Sequence, residues 1–297
     1  MKIAVTGATG FIGKHLARHL VSQGDEVIAI SRSAGGQGVP NVKVVRWDEL
    51  TDKRDMLEGL DAVVNLAGES INQRWTPSAK ERIVSSRRTA AEKLAELFDR
   101  LEHKPPVLIN ASGISIYGTS DTDTYDESSP ARIVDFLSDV VEKWEAAADL
   151  VSAPRTVKIR VGIVLGNDGG AYPKMALPYK LGVGGKVGSG SQWLSWIHIE
   201  DMVRLIDFCI RNEQVSGPVN ATAPNPVTND QFGRAVARGL GRPHWFPVPA
   251  ALMKLIFGEL AVLLLEGQRV FPQKLLDCGF QFRYPGIDDA IKQLAGK

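Results

Sequence analysis

Residues 3–13 read Ile-Ala-Val-Thr-Gly-Ala-Thr-Gly-Phe-Ile-Gly, a short apolar run followed by three glycines at a spacing of three. The run predicts a β-strand, and Leu16, Leu20 and Val21 predict that a helix follows the last glycine. Glycines between a strand and a helix let the backbone turn sharply and approach a pyrophosphate, which the N–H groups at the helix start favour. The stretch therefore predicts a dinucleotide-binding turn. The predicted contacts are Gly7, Thr9, Gly10, Phe11, Ile12 and Gly13.

Two alternatives have to be compared with a dinucleotide-binding turn. A P-loop also ends in Gly-Lys, as Gly13-Lys14 does, but Ala8 stands where its first glycine is needed. His15 stands where that motif needs a Mg²⁺-binding Ser or Thr. An ordinary glycine-rich turn without a ligand is the second alternative. The alternation of strand and helix patterns farther along the chain favours the cofactor.

Short apolar runs and helical patterns alternate through the first half of the chain. Such an alternation is typical of a parallel sheet that is covered by helices on both faces. We therefore predict an α/β fold, a Rossmann-type doubly wound parallel sheet with a small mixed C-terminal lobe. The predicted strands lie at 3–6, 27–30, 42–45, 62–66, 107–110 and 157–161. The predicted helices lie at 13–23, 78–101, 136–150, 201–211 and 287–294.

The texture of the chain changes after the sixth strand. Residues 166–190 are rich in glycine and show little periodicity, which predicts an irregular, ligand-facing region. We assign residues 1–165, together with 191–222, to the nucleotide-binding domain. Residues 166–190 and 223–297 then form the smaller, substrate-side lobe.

The end of the second strand bears on which dinucleotide is bound, because it lies beside the ribose 2′ position. It reads Ile30-Ser31-Arg32 and carries no carboxylate for a ribose hydroxyl. A hydroxyl and a guanidinium suit a 2′-phosphate, so the sequence predicts NADP(H) rather than NAD(H). The alternative is that Arg32 is a solvated loop residue.

Composition and charge exclude several classes of partner. The 297 residues include 35 Lys+Arg and 34 Asp+Glu, a formal net charge of +1 that gives no general attraction to nucleic acid or to a membrane surface. The two cysteines cannot form a disulfide framework and predict free thiols in a reducing, cytoplasmic setting. We see no metal-ligand spacing, and we expect a monomer or homodimer that binds a small-molecule substrate.

Several motifs resemble those of the extended short-chain dehydrogenase/reductases. They are the Gly-x-x-Gly-x-x-Gly spacing, Asn65-Leu66-Ala67-Gly68 after the fourth strand, and Ile116-Tyr117-Gly118 after the fifth. More narrowly, the chain is similar to the atypical epimerase family of NADP-binding proteins of unassigned substrate. The narrower marks are Glu69 after the Asn-Leu-Ala-Gly run, Arg74-Trp75, Ser86-Arg87, residues 196–201 and residues 266–269.

The resemblance implies where the cofactor is held and how the lobes work together. A small C-terminal lobe is implied to close over the nicotinamide. Trp47 and Asp48 are implied to lie beside the adenine, and Arg87 near the cofactor, although a solvent-facing ion pair is an equal alternative for Arg87. The remaining implied contacts are the glycine turn, Ser31, Arg32, Leu66, Ala67 and Gly68.

The sequence departs from the superfamily at its proton-transfer pair. Extended enzymes carry Tyr-x-x-x-Lys on the helix after the fifth strand, whereas this chain has Phe136 and Val140 at or near those positions. Phe has no proton to exchange and Val has no charge. Ser112, Tyr117 and Lys80 are the candidate catalytic residues, with a packing role as the alternative for Tyr117.

Other polar residues are weaker candidates for the same crevice. Glu69 follows the fourth strand, and His198 could act as an acid or base near neutral pH, although its apolar neighbours favour a buried structural role. Arg74 and Trp75 could clamp an anionic or ring-bearing substrate, or Trp75 could anchor a loop. Residues 182–196 fit a glycine-rich lid and equally fit an inert surface loop.

Two functions follow from these observations. The first is an NADP(H)-dependent oxidoreductase or epimerase-like enzyme that acts on an unidentified small metabolite. The second is a non-catalytic module that senses NADP(H) and regulates a partner, because sensing needs only a difference in affinity between two cofactor states.

Overall fold

The computed structural model describes residues 1–33 and 39–296. Fourteen strands lie within these residues. In chain order they are β1 (Lys2–Thr6), β2 (Glu26–Ser31), β3 (Val42–Arg46), β4 (Ala62–Asn65), β5 (Val107–Gly113), β6 (Thr124–Tyr125), β7 (Arg155–Val161), β8 (Ile163–Gly166), β9 (Gly169–Gly170), β10 (Trp193–Leu194), β11 (Trp196–His198), β12 (Gly217–Ala221), β13 (Val227–Thr228) and β14 (Arg269–Val270).

Eleven α-helices accompany the strands in the described part of the chain. They are α1 (Phe11–Ser22), α2 (Arg54–Leu57), α3 (Pro77–Arg100), α4 (Phe136–Ala148), α5 (Tyr172–Lys180), α6 (Ile199–Arg211), α7 (Asn229–Leu240), α8 (Ala250–Phe257), α9 (Val262–Leu265), α10 (Gln273–Asp277) and α11 (Ile287–Leu294). Two 3₁₀ turns span Ile114–Tyr117 and Gly258–Ala261. Among the helices of residues 1–33 and 39–296, none combines the length and the apolar character needed to cross a bilayer.

The central sheet has seven parallel strands in the order β12-β7-β5-β4-β1-β2-β3. Thr6 of β1 pairs with Ile30 of β2 on one side and with Asn65 of β4 on the other. The strand order therefore reverses at β1, and such a switch point opens a crevice at the carboxyl ends of the strands. The predicted Rossmann-type doubly wound parallel sheet is confirmed.

Both faces of the sheet are buried because alternate residues of each strand meet helices on opposite sides. Ile3 and Val5 pack in a core with residues of α1 and α6, whereas Ala4 packs in a second core with residues of α3. This arrangement explains why the strands read as continuous apolar runs. It also fixes the starts of α1 and α3 at the carboxyl edge of the sheet.

The C-terminal region has a core of its own. Tyr172 of α5, Trp196 of β11, Phe232 of α7 and Ile291 of α11 are buried together there. The chain returns to the large sheet between these elements, since β12 pairs with β7 and α6 packs against α1. The predicted domain bounds stay a prediction, although the described elements place 217–221 in the large sheet.

The expectation that residues 166–190 are irregular is wrong for twelve of them: Gly166 ends β8, two residues form β9 and nine form α5. Tyr172, Ala176 and Tyr179 recur at helical spacing and are buried on one face. Pro178 inside the helix and the surrounding glycines hide this period in the sequence, because both residue types normally interrupt helices.

Candidate functional site

The turn between β1 and α1 is built so that only glycine fits at two positions. Gly7 has a φ of +66°, and a Cβ there would lie 2.7 Å from the carbonyl oxygen of Leu66. A Cβ on Gly13 would lie 2.1 Å from the carbonyl oxygen of Gly7. The N-cap residue of α1 is Gly10, which has no side chain to accept hydrogen bonds from the first amide groups of the helix. An anion can take that place.

A buried polar chain supports this turn from below. The Thr6 hydroxyl donates to Asn65 Oδ1 at 2.6 Å, and Asn65 Nδ2 donates to Asn110 Oδ1 at 2.6 Å. The backbone N–H groups of Leu66 and Ala67 both donate to Thr6 Oγ1 at 3.1 Å. These two amides are therefore occupied within the protein, so any contact of Leu66 and Ala67 with a cofactor uses other atoms. Sequence reasoning did not find this chain, although its three side chains lie in adjacent parallel strands.

The predicted 2′-phosphate residues lie at the end of β2. Ser31 donates its hydroxyl to the carbonyl oxygen of Ser33 at 3.0 Å, and the side chain of Arg32 is exposed. Hydrogen bonds from Gln73 and Arg82 hold the pKa of Glu69 below its ordinary value, and the charge of Arg32 adds to this effect.

A second guanidinium stands at the same edge and was missed by sequence reasoning. Arg46 ends β3 and lies opposite Ser31 in the register of β2 and β3. Its Nε donates to Asp48 Oδ1 at 2.8 Å, and this hydrogen bond keeps the pKa of Asp48 below its ordinary value. The signal in the sequence was a basic residue at the carboxyl end of the third strand. Asp48 therefore pairs with Arg46, and it is also one of the residues predicted to lie beside the adenine.

Trp47 lies beside a cavity of about 900 Å³. Its ring is half-buried, its backbone N–H donates to the Ser31 carbonyl oxygen at 3.0 Å, and the Lys93 ammonium lies 5.8 Å from the ring centroid. Leu50 and Leu97 also line this cavity, together with charged side chains of α2 and α3. The cavity therefore offers an aromatic wall at the edge of the sheet where β2 and β3 end.

Arg87 is a buried cation beneath the loop after β4. It is 8% exposed, and its Nη1 donates to the carbonyl oxygens of Glu69 at 3.0 Å and Ile83 at 2.8 Å. The guanidinium stacks 4.6 Å from the Trp144 ring centroid, and a Cβ on Gly68 would lie 3.0 Å from its Cζ. Burial lowers the pKa of Arg87 to about 10, so it stays charged at neutral pH. The solvent-facing alternative for Arg87 is wrong, and its contact with a cofactor stays a prediction.

The structure brings Ser112 and Tyr117 together, but inside the protein. Ser112 donates to Glu145 Oε1 at 2.6 Å, and the same carboxylate binds Arg160 Nε at 2.8 Å. Arg160 Nη1 donates to the Tyr117 hydroxyl at 2.9 Å, which donates to Asn220 Oδ1 at 2.8 Å. Tyr117 is fully buried, and burial raises the pKa of its hydroxyl. Both hydroxyls serve a network that joins β5, α4, β7 and β12.

Glu145 and Arg160 were not identified from the sequence. They are fifteen residues apart and meet because α4 packs back onto the sheet beside β7. Although burial opposes it, hydrogen bonding to Arg160 lowers the pKa of Glu145 below its ordinary value. The network is therefore a paired buried charge, which leaves its members positioned and ionised.

Lys80 lies apart from that network. Its ammonium is 2.5 Å from Glu259 Oε2 and 5.0 Å from the centroid of the Phe136 ring. Phe136 is the first residue of α4 and meets the Trp75 ring edge-on at 5.2 Å, while Val140 is buried in the next turn. The three proposed proton-transfer residues thus do not converge on one point, and their catalytic roles stay predictions.

Phe11, Lys14 and His15 tie α1 to the turn between β8 and β9. A Cβ on Gly169 would lie 2.5 Å from the Phe11 ring, so the glycines there make room for it. Lys14 Nζ and His15 Nε2 bind Asp168 at 2.8 Å and 2.9 Å. Against the opposing effect of partial burial, these two partners lower the pKa of Asp168 to about 2. These contacts therefore hold the start of α1 against the turn between β8 and β9.

His198 has the structural role that its apolar neighbours favoured. It is buried, its Nδ1 accepts from the Glu200 backbone N–H at 3.2 Å as the N-cap of α6, and its Nε2 lies 3.0 Å from Gln293 Oε1. Burial lowers the pKa of this imidazole, which favours its neutral form. In the described ranges 1–33 and 39–296, no group of three His, Cys, Asp or Glu side chains could hold a metal ion.

Comparison with known proteins shows similarity along the whole chain. Residues 3–134 match the model of the NAD dependent epimerase/dehydratase family, and residues 248–294 match a domain of unknown function, DUF1731. Epimerase family protein YfhF of Bacillus subtilis is 43% identical over 297 residues, which cover 99% of this chain and 98% of that protein. The chain belongs to the epimerase family.

Other members of the epimerase family are also similar over nearly the whole length of the chain. Epimerase family protein SDR39U1 of Mus musculus is 38% identical and covers 99% of each chain. The crystal structure of human epimerase family protein SDR39U1 (isoform 2) with NADPH has a TM-score of 0.93, 38% identity and full coverage of both chains. The resemblance to the epimerase family that the motifs indicated is thus confirmed.

Proposed function

We propose that the chain binds NADP(H) and acts as an oxidoreductase or epimerase-like enzyme on a small metabolite. The turn at Gly7 and Gly13 carries the first part, because its backbone leaves no room for a Cβ and opens directly into the start of α1. A pyrophosphate on that helix start would be held by amide groups and by the helix dipole.

Two arginines support NADP(H) over NAD(H). Arg32 ends the β2 side of the crevice and Arg46 the β3 side, where the ribose 2′ position falls in a Rossmann site. A dianionic 2′-phosphate gains charge-assisted hydrogen bonds from guanidinium groups, whereas a 2′-hydroxyl gains little. The human relative that was crystallised with NADPH is consistent with this choice.

The proposed enzymatic activity rests on an exposed ionisable side chain at the crevice. Lys80 is 31% exposed and lies against Phe136, which stands at or near the position of the superfamily's tyrosine in the sequence. Ser112 and Tyr117 we assign to positioning, because their hydroxyls are used within the buried network. The C-terminal lobe also has a hydrophobic core of its own, and binding of a cofactor alone does not require such a lobe.

A specific observation favours a second candidate, a non-catalytic NADP(H) sensor. Phe136 and Val140 stand at or near the sequence positions of the proton-transfer pair, and the hydroxyl of Tyr117 is buried. A sensor needs only to bind NADP⁺ and NADPH with different affinity. Equal affinity for the two forms, together with hydride transfer to any carbonyl compound in a metabolite screen, would favour the enzyme.

Titration with pyridine nucleotides tests the cofactor proposal. NADPH fluorescence and calorimetry on the purified protein should give tighter binding of NADPH than of NADH. Arg32→Asp should reduce or reverse that preference by at least about tenfold, because a charge pair with a phosphate becomes a repulsion. Arg242→Asp, an equal charge change at an exposed site of the C-terminal region, is the control. A preference that survives Arg32→Asp would overturn the assignment of the 2′-phosphate site.

A further inference from the structure

A second cluster of side chains lies where α3, α4 and the C-terminal lobe meet. It consists of Trp75, Lys80, Phe136 and Glu259, and we refer to it as the Lys80 cluster. The Lys80 ammonium stands over the Phe136 ring, Trp75 meets that ring edge-on, and Glu259 closes the group through its contact with Lys80. Two rings and one cation form a surface for a ligand with a flat or apolar body and a negative end.

The topology places this cluster on the crevice side of the molecule. Trp75 and Lys80 lie at the start of α3, which follows β4, and Phe136 starts α4, which connects β5 to β7. Helices that connect parallel strands begin near the carboxyl edge of the sheet. The cluster therefore shares this edge with the glycine turn.

The ion pair of Glu259 and Lys80 is exposed enough for another carboxylate to compete with Glu259 for the Lys80 ammonium. The side chain of Glu259 is 64% exposed and that of Lys80 is 31% exposed, and ion pairs in such surroundings contribute little to stability. The ring of Phe136, 5.0 Å from the Lys80 ammonium, gives the cation a second contact besides Glu259.

The segment that carries Glu259 is anchored at its two ends. Before it, the Val248 backbone N–H donates to the Lys186 carbonyl oxygen at 2.8 Å. After it, the carbonyl oxygen of Leu264 accepts from Gln192 Nε2 at 2.7 Å. Glu259 lies between these anchors, just after Gly258 with a φ of +56°. The segment that presents Glu259 to Lys80 is therefore tied to the rest of the protein on both sides.

We propose that the Lys80 cluster is the substrate-binding subsite and that the substrate is a small carboxylic acid with an apolar or ring-bearing body. Its carboxylate replaces that of Glu259 at Lys80, and its body packs on Phe136 and Trp75. The carboxylate is favoured because it is the group that Lys80 already binds within the protein. This inference rests on the proposed function, since it assigns the substrate class of that same crevice.

Benzoate, benzamide and phenyl phosphate are suitable probes, because they share a ring and differ in charge. Binding to the NADP⁺-loaded protein is measured by quenching of tryptophan fluorescence and by calorimetry. We expect benzoate to bind more tightly than benzamide, and Glu259→Gln to tighten benzoate by about threefold because the competing carboxylate is gone. Lys80→Met should abolish the preference for benzoate, and Lys80→Arg should retain it. Glu213→Gln, at another exposed carboxylate, is the matched control and should change nothing.

Each remaining outcome decides against the inference in a different way. Equal binding of benzoate and benzamide by the Glu259→Gln protein, or no binding of either, overturns the subsite. Tighter binding of phenyl phosphate than of benzoate overturns the carboxylate class. If the wild-type protein binds NADPH and one of these results is obtained, this inference alone is contradicted. If the wild-type protein binds no NADPH, the proposed function is contradicted.

Discussion

Single residues determine the conformation of the turn between β1 and α1. At Gly13 the lack of room for a side chain outweighs the intrinsic helix preference of alanine over glycine. Gly13 lies inside α1, where alanine is normally the better residue by about 1 kcal/mol. A Cβ at this position would meet the Gly7 carbonyl oxygen at 2.1 Å, so the turn and the helix would have to separate. The glycine spacing could be recognised in the sequence because Gly7 and Gly13 each satisfy a backbone constraint that a side chain would violate.

Gly13→Ala should weaken NADPH binding by at least about tenfold and lower the melting temperature, since overpacking typically costs about 1–3 kcal/mol. Gly286→Ala is the matched control, because a Cβ there would have no other atom within 4 Å and the φ of Gly286 is −112°. Fluorescence titration and thermal unfolding measure both effects. Equal NADPH affinity in the Gly13→Ala and wild-type proteins would show that the turn does not approach the cofactor.

The ion pair at Asp168 makes a prediction about pH. Its folded-state pKa of about 2 lies below the ordinary value of 3.8, so its contribution to stability is complete above pH 3.8 and is lost as the pH falls toward 2. The side chain is 45% exposed, so the contribution is small, below about 1 kcal/mol. Urea unfolding of Asp168→Asn should show a flatter dependence on pH between 5 and 2 than wild type. Asp52→Asn, at an exposed position, should keep the wild-type slope.

At the level of elements, most strands of the large sheet could be predicted and one could not. The six predicted runs became β1, β2, β3, β4, β5 and β7 because buried parallel strands are continuous apolar segments. β12 contains Gly217, Pro218 and Asn220, which individually disfavour strands. It forms at the edge of the sheet through pairing with β7, and edge strands tolerate proline.

The helix α3 carries both Lys80 and Arg87, so its start matters for the whole site. Thr76 is its N-cap, and the Thr76 hydroxyl accepts from the Ala79 backbone N–H at 3.3 Å. Thr76→Ala should lower the free energy of unfolding by about 1 kcal/mol, whereas Thr76→Ser should retain most of it. Urea titrations of the two variants provide the comparison. Equal losses in both would mean that the hydroxyl cap is not the stabilising feature.

Across the whole molecule, a buried charged network joins strands that are distant in the chain. Glu145, Arg160, Tyr117 and Asn220 connect α4 with β7 and β12. Sequence analysis missed the pair of Glu145 and Arg160, because a charged residue in a helix or strand is normally solvated and only packing brings these two together. The resemblance to a family, in contrast, is carried by local motifs and could be recognised before any packing was known.

Arg160→Met should destabilise the protein by about 3–5 kcal/mol, because it leaves the buried carboxylate of Glu145 unpaired. The double variant Arg160→Met/Glu145→Met should recover much of this loss, since it removes both charges. Chemical unfolding of the two variants measures the difference. A double variant as unstable as the single one would show that packing of the long side chains, and not pairing of charge, is what the network contributes.

A crystal structure of the protein with NADPH is the most direct test of the account. We expect the pyrophosphate at the N–H groups that open α1, with the 2′-phosphate bound by Arg32 at the end of β2. The pyrophosphate lying away from the start of α1, or the 2′-phosphate pointing into solvent with no guanidinium near it, would contradict the proposed mode of binding.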